Sequence, residues 1–89
     1  MSREEQNGIA QKLLEFFRSR VPEVKAFFRS DFSGPAKEIL ESLFQQEQCA
    51  RAYTRAHSYG TIGKAINMPE YAVATVLDPI VKETWDAGW

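Results

Sequence analysis

His57 and Cys49 are the side chains in this sequence best suited to nucleophilic chemistry, and each is the single residue of its type. An imidazole can activate a neighbouring thiol, but these two lie eight residues apart, which is more than two turns of a helix. We therefore expect Cys49 to be a small buried residue and His57 to bind free carbonyls at a helix end. The acidic residues occupy ordinary helix-surface positions, and the glycines form no phosphate loop. The sequence predicts no enzyme, no metal site and no cofactor.

Charge is spread unevenly along the 89 residues, although the formal net charge is only −1. Residues 48–77 hold three basic side chains against one acidic, whereas residues 78–89 hold three acidic against one basic. The low net charge argues against a protein that coats nucleic acid by bulk attraction, so any phosphate contacts would lie in the locally basic segment. Arg51 and Arg55 lie there, four residues apart on one helical face. They either contact phosphate or form an ordinary solvated surface.

Apolar residues recur at helical spacing along most of the chain, and no stretch alternates as a strand would. Ser2 and Glu5 predict a capping box at the start of a first helix, which Val21-Pro22 ends. Further helices are expected over 22–29, from Pro35 onward, at about 61–67 and at about 70–85. The helix from Pro35 either continues to His57 or breaks near Gln48. We predict a single all-α domain over residues 1–89, a compact bundle of four or five helices whose core holds the phenylalanines, namely Phe16, Phe17, Phe27, Phe28, Phe32 and Phe44.

Residues 59–77 have the pattern of two short helices joined by a tight turn. Inward apolar residues are supplied by Ile62 and Ile66 on the first helix and by Val73 and Val76 on the second. Gly63 and Ala65 are small enough for the close helix crossing, and Asn67 tolerates the left-handed backbone of the turn. In this pattern residues 59–77 resemble the helix-turn-helix superfamily. VATVLDPIV (73–81) is also similar to the recognition helix of a winged helix-turn-helix, although no wing follows it before Trp89. The resemblance covers about a fifth of the chain.

The resemblance implies a DNA-binding regulator in which the second helix enters the major groove. Its outward residues and Lys64 would then meet bases and phosphates, while Arg51 and Arg55 would contact phosphate. Thr75 suits a thymine methyl and Glu70 a cytosine amino group, but no arginine is available to bind guanine. The predicted contact residues are Lys64, Glu70, Tyr71, Ala74 and Thr75, with Asp78 at the edge of the same face.

A protein partner is the alternative to duplex DNA, and the sequence favours neither strongly. A surface of Tyr71, Ala74 and Thr75 between two acids suits a regulatory adaptor or inhibitor equally well. The chain ends in ETWDAGW, where Trp85 is expected in the core and Trp89 is a candidate interface anchor. A homodimer would help so small a domain to bury apolar surface.

A cytoplasmic location is expected from the ends and the cysteine content of the chain. A single cysteine excludes an internal disulfide, and the N-terminus lacks the apolar core of a signal peptide. No apolar run approaches the roughly 20 residues that span a bilayer, so no membrane association is predicted.

Overall fold

The computed structural model describes residues 1–29 and 32–86, except for the side chains of residues 85 and 86. Its helices are α1 (Arg3–Arg20), a 3-10 turn (Pro22–Val24), α2 (Lys25–Phe28), α3 (Ala36–Gln46), α4 (Gln48–Ala56), α5 (Tyr59–Ile66) and α6 (Glu70–Asp86). These ranges contain no strand. The predicted all-α class is therefore confirmed, and these ranges contain six α-helices rather than the expected four or five.

Helix α1 lies at the centre of the bundle and contacts α3, α5 and α6. It begins at Ser2, whose hydroxyl accepts the backbone N–H of Glu5 at 3.1 Å, as the capping-box pattern predicts. Leu13 and Phe17 on its inward face are fully buried. Phe17 packs edge-to-face against Phe44 of α3, with ring centroids 5.5 Å apart. The same buried cluster continues into α5 and α6, so one apolar core joins the two halves of the chain.

The phenylalanines divide between the core and its edge. Phe16, Phe17, Phe27 and Phe44 are buried, as predicted, and Phe28 is half-buried. Phe32 corrects the expectation, because it lies exposed at the edge and stacks on Phe27 with centroids 4.4 Å apart. Trp89 and the side chain of Trp85 lie outside the described residues, so the predictions made for them stay predictions.

The helix from Pro35 breaks at Glu47, which resolves the alternative left open by the sequence. Glu47 has an extended backbone, with φ −114° and ψ 107°, between α3 and α4. A break leaves the last carbonyls of α3 without helical partners. The Arg51 guanidinium donates to two of them, on Phe44 and Gln45. Arg51 therefore supplies the hydrogen-bond donors at a helix break that contains no glycine or proline.

Candidate nucleic-acid interface

A helical hairpin is formed by α5, a three-residue turn (67–69) and α6. The Ser58 hydroxyl caps α5 by accepting the Thr61 N–H at 3.2 Å. At the other end Asn67 adopts the left-handed conformation, with φ 59°. The Met68 N–H donates to the Gly63 carbonyl at 2.8 Å and the Asn67 N–H to the Lys64 carbonyl at 3.4 Å. This pair of bonds is a Schellman motif, which ends α5 and turns the chain into α6.

Gly63 lies where the turn packs closely against α5. A methyl group on Gly63 would lie 2.5 Å from the Met68 carbonyl oxygen and 3.4 Å from a Val73 methyl group. The turn can fold back this closely only because Gly63 has no side chain. Ala65 was expected to serve the same crowded surface, but it is exposed and takes no part in the crossing.

Helix α6 has one buried and one exposed face, in the phase that the sequence predicted. The buried residues of the helix are Ala72, Val73, Val76, Leu77, Ile80 and Thr84. Glu70, Tyr71, Thr75 and Asp78 are exposed, and Ala74 is half-buried. Pro79 also lies on the exposed side, and having no N–H it cannot bond the Thr75 carbonyl one turn earlier. The structure therefore places the predicted contact residues of α6 together on one side of the helix.

Two of these residues have polar atoms that are already engaged. The Thr75 hydroxyl donates to the Tyr71 carbonyl at 2.7 Å, which leaves its methyl group and lone pairs for a ligand. The Tyr59 hydroxyl donates to the Asp78 carboxylate at 3.3 Å. Burial, followed by the charge and hydrogen bond of Asp78, raises the pKa of Tyr59 to about 12. Tyr59 is therefore neutral at physiological pH and holds Asp78 against the start of α5.

The cations near this face are arranged differently from the prediction. Arg51 is only 5% exposed and bonds the carbonyls at the end of α3. Arg51 is thus a structural residue, which corrects the expectation that it contacts phosphate. Lys64 and Arg55 are exposed, as a phosphate contact requires.

Lys82 is a cation that the sequence analysis missed. It is exposed, and it lines a groove of about 710 Å³ together with Arg55, Tyr59 and Asp78. Its spacing from Thr75, seven residues along α6, could have shown that the two share a face.

A second, more apolar groove lies between α1 and the start of α6 and is called here the α1–α6 groove. Its volume is about 320 Å³, and its apolar lining includes Ile9, Met68, Pro69 and Ala72. Tyr71, which is 71% exposed, borders it. Glu5, Gly8 and Lys12 complete the α1 side.

The two residues considered for catalysis, His57 and Cys49, lie in packing and helix-end environments. The His57 ring stacks on Tyr53 with centroids 4.0 Å apart, and its Nδ1 lies 3.1 Å from the Tyr53 carbonyl oxygen, as expected for a residue at a helix end. Cys49 is half-buried rather than fully buried. Burial and the nearby charge of Glu47 raise the pKa of its thiol.

Two further features are absent from residues 1–29 and 32–86. No group of three or more histidine, cysteine, aspartate or glutamate side chains is placed to hold a metal ion within them. No helix in that part of the chain has the length and apolarity needed to cross a membrane.

Comparison of the chain with models of known protein families, with curated proteins and with solved structures found no significant match. The resemblance of residues 59–77 to helix-turn-helix proteins therefore stays a prediction.

Proposed function

We propose that this chain is a small regulator that binds duplex DNA through α5 and α6. The observation that carries the proposal is the tight hairpin at Gly63 and Asn67, which leaves one face of a 17-residue helix exposed. A helix presented in this way fits the major groove of B-DNA. Thr75 lies on that face and suits a thymine methyl group.

Phosphate attraction would come from Lys64, Lys82 and Arg55, which are exposed on or near the hairpin. Glu70 and Asp78 on the same side oppose it, because carboxylates repel the DNA backbone. We therefore expect modest affinity and a modest dependence on salt. With about three phosphate contacts, the logarithm of the association constant should fall with the logarithm of salt concentration with a slope of about −3.

Fluorescence anisotropy with a random duplex, titrated from about 50 mM salt upward, tests the proposal. Lys82→Gln should reduce the slope by about 0.9, because one phosphate contact is lost. Lys25→Gln is the matched control, since Lys25 is exposed on α2 and is not part of the hairpin. Absence of binding at about 50 mM salt, or equal effects of the two variants, would contradict the proposal.

The variant Asp78→Asn distinguishes binding of DNA from binding of a protein partner by the exposed face of α6. Removing a carboxylate from the exposed face should raise affinity for DNA by several-fold, because it removes repulsion from phosphates. Unchanged or weaker binding would show that the exposed face of α6 does not approach the DNA backbone.

A regulatory adaptor that binds a protein is the second candidate function. The observation that favours it is Tyr71, a 71% exposed aromatic ring beside the α1–α6 groove. Exposed tyrosines next to apolar surface are frequent anchors of protein interfaces. Tyr71→Ala should preserve the helical circular dichroism spectrum, because the ring is outside the core. If the chain is an adaptor, the same variant should lose a protein partner captured by the wild type.

A further inference from the structure

We propose that the α1–α6 groove is the contact surface of a symmetric homodimer, in which α1 crosses α1 of a second copy in antiparallel orientation near Gly8. The proposal does not depend on DNA binding. It assigns the exposed ring of Tyr71 to contact with the second copy rather than to bases.

The α1 side of the groove carries one acidic and one basic side chain, which can pair with the same two residues of a second copy. Glu5 and Lys12 both line it and lie seven residues apart, about 10 Å along one face of the helix. An antiparallel pair related by a two-fold axis near Gly8 places Glu5 of each copy opposite Lys12 of the other. Both ion pairs then form at once. A parallel pairing in register would instead place Glu5 opposite Glu5 and Lys12 opposite Lys12.

Gly8 supports a close approach at the centre of this pair. It lies inside α1, where a glycine weakens the helix, yet a methyl group on it would meet no atom within 4 Å. Packing within the chain therefore gives no reason for a glycine there. A second helix crossing at this position could approach the α1 backbone closely, because no side chain intervenes.

The α6 side of the groove supplies the apolar surface that such a dimer would bury. The floor of the groove is formed by Ile9 and Ala72, which are already buried, and the surface left to cover belongs to half-buried Met68, exposed Pro69 and the exposed ring of Tyr71. Contact with a second copy would remove that ring from water on both sides of the axis. Tyr71 thus has the character of an interface anchor placed beside a shallow apolar groove.

Sedimentation equilibrium in the absence of DNA, from about 10 μM to about 1 mM protein, tests self-association directly. We expect a reversible monomer–dimer equilibrium that Tyr71→Ala weakens at least tenfold. A chain that stays monomeric at about 1 mM would leave the groove to a different protein and overturn the proposal. Because no DNA is present, this result is independent of the function proposed above.

Charge reversal at Glu5 and Lys12 tests the antiparallel orientation of the two α1 helices. Glu5→Lys alone and Lys12→Glu alone should each weaken the dimer about tenfold, because two like-charge contacts replace two ion pairs. An equimolar mixture of the two variants should associate nearly as tightly as the wild type, because every contact between them again joins opposite charges. This recovery would also show that both variants are folded.

Lys64→Glu is the matched control, since it makes the same charge change on exposed α5, away from the groove. It should leave the dimer constant within about twofold. A mixture that associates no better than the single variants, or a control as damaging as Lys12→Glu, would overturn the proposed interface.

Discussion

At the scale of single residues, Tyr59 and Asp78 form a pair whose titration can be measured. Burial raises the pKa of Tyr59 most, and the charge and hydrogen bond of Asp78 raise it further, to about 12. The folded-state pKa lies above the ordinary value of 10. The contribution of this pair to stability is therefore complete below pH 10 and is lost as the pH rises through about 12.

Asp78→Asn should lower the pKa of Tyr59, because it removes a negative charge that opposes ionisation of the phenol. Ultraviolet absorbance titration measures the effect, with Tyr59→Phe identifying which part of the signal belongs to Tyr59. The value should remain above 10 after the substitution, since burial is unchanged. An identical titration in Asp78→Asn would mean that the two side chains do not interact in solution.

The hydrogen bonds that Arg51 donates to the end of α3 lead to a second prediction about a single residue. Arg51→Met retains much of the buried stem but leaves the carbonyls of Phe44 and Gln45 without their donor, at a cost of about 1–3 kcal/mol. Arg3→Met, on the exposed first turn of α1, should change the free energy of unfolding by less than about 0.5 kcal/mol. Urea denaturation compares them. Equal stabilities would refute a structural role for Arg51.

At the scale of elements, two helical glycines should respond in opposite ways to the same substitution. Gly63→Ala forces a methyl group against the Met68 carbonyl oxygen at the hairpin turn, and should destabilise the chain by about 2 kcal/mol or more. Gly8→Ala meets open space in α1 and should stabilise it by about 0.5–1 kcal/mol. Thermal unfolding at low protein concentration provides the comparison, and a shift of the same sign in both variants would contradict this account of the hairpin.

The helices and the hairpin turn could be predicted from sequence because their signals are local. The Ser2 cap, the stop at Val21-Pro22 and the left-handed Asn67 each follow from the conformational preferences of neighbouring residues. The phase of α6 follows from the spacing of Val73 and Val76.

The break at Glu47 and the role of Arg51 could not be predicted in the same way. Arg51 lies four residues before Arg55, a spacing that predicts two cations on one exposed helical face. Only the fold shows that the Arg51 guanidinium points inward to the end of α3. The spacing of Lys82 from Thr75 indicates that it shares the exposed face of α6, but only the fold shows the groove that it lines together with Arg55 of α4.

At the scale of the whole molecule, the hairpin depends on helices outside the motif. Helix α1 contacts both α5 and α6 as well as α3, and Leu13 lies fully buried on it. An isolated pair of helices of this length has little stability in water. The motif is therefore held in shape by a core whose largest side chains lie in the N-terminal half, such as Phe17 and Phe44.

Leu13→Ala should consequently destabilise α6 as much as α1. Truncating a buried leucine costs about 2–5 kcal/mol, and in a cooperative domain every amide that exchanges by global unfolding loses the same protection. Native-state hydrogen exchange, with Lys25→Ala as the exposed control, measures this for the slowest amides of both helices. If α1 lost protection while α6 kept it, the hairpin would be an independent folding unit. Equal losses would instead mean that the hairpin unfolds together with α1 as one cooperative unit.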